Sequence, residues 1–483
     1  MVSPGLKQAW ASSGILFHVI GVGITLSYPS SLLPGLLNPE SDIKVDLDTA
    51  SWLASLVGVA AILGFLYSSI VMEWFGRRIA LLAGIFPSII SWLLIYFSPN
   101  VGALIAGRAL GGISSGATAT LGAITVGEYS SPKYRGTFLG LKTTSVCLGG
   151  MTCHILGNYF HWRTVALIAL IPHTLSFIIV LLSPESPAWF VSKNRFADGE
   201  RSFFWLRGKS DETRRELDDL FRAQKERMSQ FTDKRTVLQK LVDFFGKFKR
   251  KDFVIPTVII IFSAIVLESS GRHIFPAYAP DIMARITGSN ARSFYYTLCI
   301  DLITTLSSFF SSYLMKIMKR RTLLFGIGVL ALIVLFIACL YLFLASRNIL
   351  SKDRTWIPLC LFITFFVLVN LGVTPIPLAI LGEIYPLVHK GAGAIVSGLA
   401  LSILLMIALK ITPVMLVGID VYGTFFVYGG ALFVSLVVLY FIIPETKDRT
   451  LQEIEDYFTY GKFVDSKIRI DDVKARMIST DNV

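Results

Sequence analysis

Apolar runs of about twenty residues, the length a helix needs to cross a bilayer, recur along this chain with short polar interruptions. Twelve can be marked, at 10–36, 52–72, 79–97, 101–126, 137–157, 162–182, 253–277, 293–315, 322–345, 356–381, 392–417 and 424–443. The one long polar stretch, 184–252, divides them six and six. This pattern predicts an all-α membrane protein of twelve transmembrane helices. It has a six-helix bundle over 1–183, cytoplasmic linker helices over 184–252, a second bundle over 253–443 and a cytoplasmic tail over 444–483. The first run continues from Trp10 to about Leu36 without a basic start, so it reads as a span and not as a signal peptide.

Composition agrees. Only 16% of residues are charged and 53% are hydrophobic, with a mean hydropathy of +0.64, against about 25% charged in a soluble protein. Arg77, Arg78, Lys133, Arg135, Lys316, Lys319, Arg320, Arg321 and Lys390 all fall on one side of the twelve spans, while the first loop on the other side is acidic. The inside-positive rule then places both termini in the cytoplasm. The net charge of +12 reflects that topology, and no single basic stripe suggests nucleic acid. All five cysteines sit within predicted spans, as buried thiols rather than a disulfide framework.

The two halves carry matching words in matching order. EWFGRR (73–78) pairs with KIMKRR (316–321), EYSSPKYRG (128–136) with EIYPLVHKG (383–391), and PESP (184–187) with PETK (444–447). A duplicated six-helix unit with a solute site between parallel halves is the major facilitator architecture. GRALGGISSG (107–116), GVTPIP (372–377), GEIYP (382–386) and PETKDRTLQEI (444–454), with the words above, resemble the sugar porter family, most of all its insect facilitated trehalose and glucose transporters. The resemblance covers about residues 10–458. It implies alternating access by a facilitative uniporter, a small solute such as trehalose or a hexose, no cofactor, a monomer, and the plasma membrane.

The resemblance also implies that the repeated words form cytoplasmic gating salt bridges. Arg77, Arg78, Arg135, Arg320, Arg321 and Lys390 are the cations, and Glu128, Glu185, Glu383 and Glu445 the partners. These pairs would hold the two bundles together when that mouth is shut. Arg108, a rare intramembrane cation, is expected to anchor the same gate. The loop at 316–321 departs from the family pattern, with Lys316 and Lys319 where an acid and a glycine are usual. Gly107, Gly111, Gly112 and Gly116 lie near one another on one helix and allow close helix packing.

Sugar porters write two glutamines, Ser-Gly and an asparagine across the seventh span, and side-chain amides suit a neutral polyol because they donate and accept. Here VLESSGRHIFPAY (266–278) keeps Ser270 and Gly271, but has Leu267, Glu268 and His273 in place of the amides, and retains Tyr278. Elsewhere the family's polar positions align with Thr143 beside Lys142, with Thr304 near Asp301, with Leu378, and with Leu401 and Ser402. Glu268 and Arg272, four apart, would pair on an unbroken helix. If Gly271 and Pro276 break it, Lys142, His154, Glu268, Arg272, His273 and Asp301 would line one polar cavity, with His18 as a further candidate.

Two other functions fit the same residues: a transport-weak solute sensor, and a proton-coupled carrier of a charged non-sugar solute using Glu268 or Asp301. An enzyme does not fit, since no nucleophile motif, phosphate loop or metal-ligand spacing stands out and no soluble domain carries one.

Overall fold

A computed structural model describes residues 3–230, 246–248, 250–351, 354–385, 390–447, and positions 453, 454, 457 and 458. Span one comprises helices Pro4–Ser27 and Pro29–Leu37, bent at Tyr28. Spans two to six are Leu47–Phe75, Arg77–Tyr96, Val101–Tyr129, Pro132–Tyr159 and Trp162–Leu182. Span seven is broken into Lys251–Ser269 and Ile274–Thr287. Spans eight and nine are Asn290–Ile317 and Arg320–Ser346. Span ten joins Trp356–Leu368 to Pro375–Glu383 through a π-turn at Val369–Val373. Spans eleven and twelve are Lys390–Gly418 and Asp420–Ile442.

Local chemistry starts these helices where they start. Asp46 accepts from the Thr49 amide at 2.9 Å and Asn100 from the Ala103 amide at 3.0 Å, each satisfying an N–H that the first turn leaves without a partner. Within the spans, hydroxyls fold back onto carbonyls one turn earlier, as Thr25 does to Gly21 and Thr412 to Ala408. These hydroxyls are thereby satisfied within their own helices. Large apolar residues such as Phe309, Phe433 and Phe441 point outward, the exposure expected of a lipid-facing surface.

Eleven of the described segments are long and apolar enough to cross a membrane. Span five is the exception. It has 28 residues but is more polar, because its sequence includes Lys133, Arg135 and the run Lys142–Thr143–Thr144–Ser145. It crosses span one closely: a Cβ on Gly149 would lie 2.1 Å from the Ile20 carbonyl oxygen.

Helices Pro187–Ser192, Phe196–Arg207 and Asp211–Gln230 follow span six. They are fastened to the first six spans. Gln8 donates to the Leu206 carbonyl at 3.4 Å and accepts from the Ser131 amide at 2.9 Å, and Arg207 donates to the Ser130 carbonyl at 2.8 Å. The end of the bundle that carries them is called the linker end here, and the opposite end the far end.

Candidate solute site and gates

Span seven breaks because Gly271 adopts φ +81°, a left-handed conformation that side chains with a Cβ resist. The Ser270 hydroxyl closes the turn on the Leu267 carbonyl at 2.7 Å. Pro276 causes no break: it is the third residue of the resumed helix, where a missing N–H costs little. The Glu268–Arg272 pair that an unbroken helix would allow does not form. The turn brings His273 back onto Glu268 instead, with Nδ1 donating at 2.9 and 3.1 Å to the two carboxylate oxygens. Arg272 makes no hydrogen bond or ion pair with any described residue.

His154 of span five reaches across to the second half. Its Nδ1 lies 2.7 Å from Asp301 Oδ2 on span eight, and its Nε2 lies 2.8 Å from the Pro276 carbonyl on span seven. A carbonyl only accepts, so Nε2 bears a hydrogen, and a second hydrogen must lie between Nδ1 and the carboxylate. The geometry therefore requires the His154–Asp301 pair to hold one proton more than a neutral imidazole beside a carboxylate, which leaves the pair neutral overall. Their side chains are 1% and 8% exposed.

Spans one and five of the first half and spans seven, eight and ten of the second enclose a cavity of about 60 Å³, room for about two water molecules. Of the candidate solute-site residues, Arg272, His273, Asp301 and Thr304 reach its wall, beside Ser270, Gly271 and Pro276. Glu268 lies behind His273, and His154 behind Asp301. Thr304 Oγ1 is turned onto the Asp301 carbonyl at 3.0 Å. Lys142 leans on span four, donating to the Ala119 carbonyl at 3.3 Å. Thr143 and Leu378 are half-buried and off the wall.

Tyr278 is buried and donates to the Leu409 carbonyl at 2.7 Å, tying span seven to span eleven. His18 is not part of the cavity. It is sealed inside the first half, 2.9 Å from His173 Nδ1 and 3.3 Å from Ser114 Oγ. Ser27, Phe366 and Asn370 line the cavity without having been singled out. Asn370 is the only side-chain amide in the run 356–381, a signal the sequence did offer. It sits in the π-turn, a distortion that often marks functional positions.

The far end is closed by contacts between the halves. Besides the His154 bridge, Lys410 on span eleven donates to Asp48 Oδ1 at 2.6 Å and to Ser51 Oγ at 2.8 Å, and its ammonium lies 4.3 Å from the Trp52 ring centroid. Leu33, Ala50 and Ala54 of the first half belong to the hydrophobic core of the second.

At the linker end, with the far end closed, the described pairs join elements within one half. The Arg77 guanidinium grips Glu128 through Nε and Nη2, each at 2.8 Å. Glu185 accepts from the backbone amides of Arg77 at 2.8 Å and Arg78 at 3.1 Å. Glu445 does the same for Arg320 and Arg321, both at 3.1 Å. Each carboxylate thus caps the amide-rich N-terminus of a span, the third and the ninth, where negative charge is favoured. Gly76, at φ +99°, makes the turn that places the first of these.

Burial pushes the Glu185 carboxyl above its usual range, against the downward pull of the amides of Ser186, Arg78 and Arg77. Arg78 and Arg321 also donate to carbonyls of Leu181 and Ile443, and Arg320 to Thr446 Oγ1 at 2.8 Å. Arg135 stands exposed. The side chains of Glu383 and Lys390 lie outside the described residues, as does most of the 449–458 segment.

For Arg108 the expectation is corrected. It donates to the carbonyls of Leu53 at 2.9 Å and Thr25 at 2.8 Å. Span four begins at the far end with Val101 and leaves at the linker end with Tyr129. At 1.5 Å per residue, Arg108 is about 10 Å from the first and about 32 Å from the second. It braces spans one, two and four near the far end, away from the linker-end gate.

Twelve spans in two halves, with a cavity between them and closing contacts at one end, define a membrane carrier of the major facilitator fold. The family model described as Sugar (and other) transporter matches residues 26–458, and the chain belongs to that family. Among curated relatives, the facilitated trehalose transporter Tret1 of Apis mellifera ligustica is 26% identical over 452 residues, 93% of this chain and 88% of that protein. Tret1 of Drosophila virilis is 26% identical over 449 residues, 93% of this chain and 48% of its own length. The chain therefore spans about half the length of that fly relative. Among solved structures, the inward open conformation of the xylose transporter XylE from E. coli aligns with a TM-score of 0.72 at 16% identity, covering 94% of this chain and 99% of that one. The proton:xylose symporter XylE bound to 6-bromo-6-deoxy-D-glucose aligns at 0.71 and 17%, covering 94% and 98%. At such identities the likeness concerns the fold alone.

Proposed function

We propose that this protein carries a carbohydrate across the membrane by alternating access. Residues 1–183 and 253–443 rock as two units about the cavity between them, and the linker end faces the cytoplasm. The observation that carries this reading is the cavity itself, walled by spans from both halves and closed at the far end by contacts that exist only while the halves touch there. At about 60 Å³ it is too small for a sugar, so the walls must part for solute to enter, as a rocking cycle requires. The trehalose transporter relatives, and basic loops gathered at the linker end, support the solute class and the orientation. Proteoliposomes containing the purified protein should take up labelled trehalose or glucose saturably. Failure with both, beside a working sugar carrier, overturns a carrier of neutral sugars.

The His154 bridge favours a second reading, proton coupling. His154 and Asp301 hold a proton between the halves, and opening the far end separates them. Coupled uptake would rise with an inward proton gradient, whereas uptake indifferent to the gradient leaves facilitated diffusion.

A further inference from the structure

Resting on the carrier reading above, we propose that the cavity recognises a carbohydrate bearing a carboxylate, a sugar acid, through the guanidinium of Arg272. The argument is a count of partners. Five charged or chargeable side chains form the polar cluster at the cavity, and four are already engaged in two pairs. Glu268 holds His273, and Asp301 holds His154. The Thr304 and Ser270 hydroxyls on the wall are turned onto backbone carbonyls, and the Asn370 amide donates to the Phe366 carbonyl at 2.9 Å.

Arg272 remains, on the wall and partly accessible, with no acceptor among the described residues. A guanidinium has five N–H donors and no acceptor, and leaving a charged group unmatched away from bulk water is costly. Glu268 offsets some of its charge at longer range, but supplies none of its donors with a hydrogen-bond acceptor. Lys142, near enough to feel the charge of Arg272, adds to the positive side of the balance. The wall is therefore rich in donors and poor in free acceptors.

A neutral sugar hydroxyl would use one donor at a time. A carboxylate takes two in the fork geometry and matches the charge, and such bidentate charge-assisted pairs are about twice as strong as neutral hydrogen bonds. One guanidinium matches a monoanion, which favours a carboxylate over a phosphate dianion.

The test uses wild-type protein in proteoliposomes at pH 7, with labelled glucose, labelled trehalose and labelled glucuronate as solutes. Unlabelled glucuronate, its neutral isostere glucuronamide, and glucose 6-phosphate serve as competitors. Glucuronate should enter saturably and compete about tenfold better than glucuronamide. The glucuronate-to-glucuronamide preference should fall towards one in Arg272→Gln and stay intermediate in Arg272→Lys, which keeps the charge and loses the fork. Because the wild-type comparison is decisive alone, a variant that fails to fold does not rescue the proposal.

Equal competition by glucuronate and glucuronamide, with saturable glucose uptake, overturns this inference and leaves the carrier reading intact. Stronger competition by glucose 6-phosphate than by glucuronate overturns the carboxylate assignment. Failure of glucose, trehalose and glucuronate alike removes the carrier reading beneath it.

Discussion

Closure of the far end depends unequally on its two polar bridges, and Asp301→Asn measures the stronger. In the closed state Asp301 meets His154 at 2.7 Å with both side chains buried, at 8% and 1% exposure. A hydrogen bond involving charge contributes about 1.5–3 kcal/mol, and a neutral one about 0.5–1.5 kcal/mol. Asparagine keeps the shape and a neutral acceptor, so the substitution removes about 1.4 kcal/mol from the closed state, or about tenfold in the closed-to-open ratio. The Lys410–Asp48 pair is shorter, at 2.6 Å, but the Asp48 side chain is 71% exposed. Screening holds such a pair to about 0.2–1 kcal/mol, so Asp48→Asn should shift the ratio by less than about fivefold.

The assay is the labelling rate of a cysteine at Leu33, which is 7% exposed and packed into the core of the second half. The purified protein would have its five native cysteines replaced. Labelling should rise about tenfold with Asp301→Asn and less with Asp48→Asn. An unchanged rate with Asp301→Asn, or a larger effect from Asp48→Asn, would refute the ranking of burial over bond length.

Four further outcomes can be checked by thermal unfolding in detergent. A Cβ on Gly116 would lie 2.1 Å from the Ala61 carbonyl oxygen, so Gly116→Val should cost at least the ~1–3 kcal/mol of overpacking. Gly127→Ala, with nothing within 4 Å of the new carbon, should be harmless. Arg108→Met leaves the Thr25 and Leu53 carbonyls without their donor and should destabilise by about 1–3 kcal/mol per carbonyl, a loss that a tolerant Tm would contradict. Because the folded state raises the Glu185 carboxyl, its protonated form is favoured by folding. Its contribution is complete below the usual carboxyl range and is lost as pH rises through the raised value. Wild type should therefore lose stability relative to Glu185→Gln as pH rises above the usual carboxyl range of about 4, and parallel curves would argue against the raised carboxyl.

Hydropathy alone revealed the spans, because a length of about 20 apolar residues is a property of the sequence itself. The break in span seven was also legible through Gly271. Its consequence was not: an i,i+4 ion pair presumes a continuous helix, and the left-handed residue swings Arg272 off that register while returning His273 to Glu268. Arg108 lies about two turns into span four, a depth that the motif around it does not convey. Nothing local betrays the Lys410–Asp48 bridge, whose members are 362 residues apart. His154 and Asp301 were both visible as polar residues in apolar runs, but only packing of span five against span eight shows that they share a proton.

The carboxylates of Glu185 and Glu445 are held by main-chain amides and not by the arginine side chains that follow the turn. Such a contact is blind to residue identity, provided the residue is not proline. The loop at 316–321 can therefore carry Lys316 and Lys319 while span nine stays docked as span three does. Side chains at this joint can be exchanged without undocking the span, whereas loss of either glutamate or of the turn would release it.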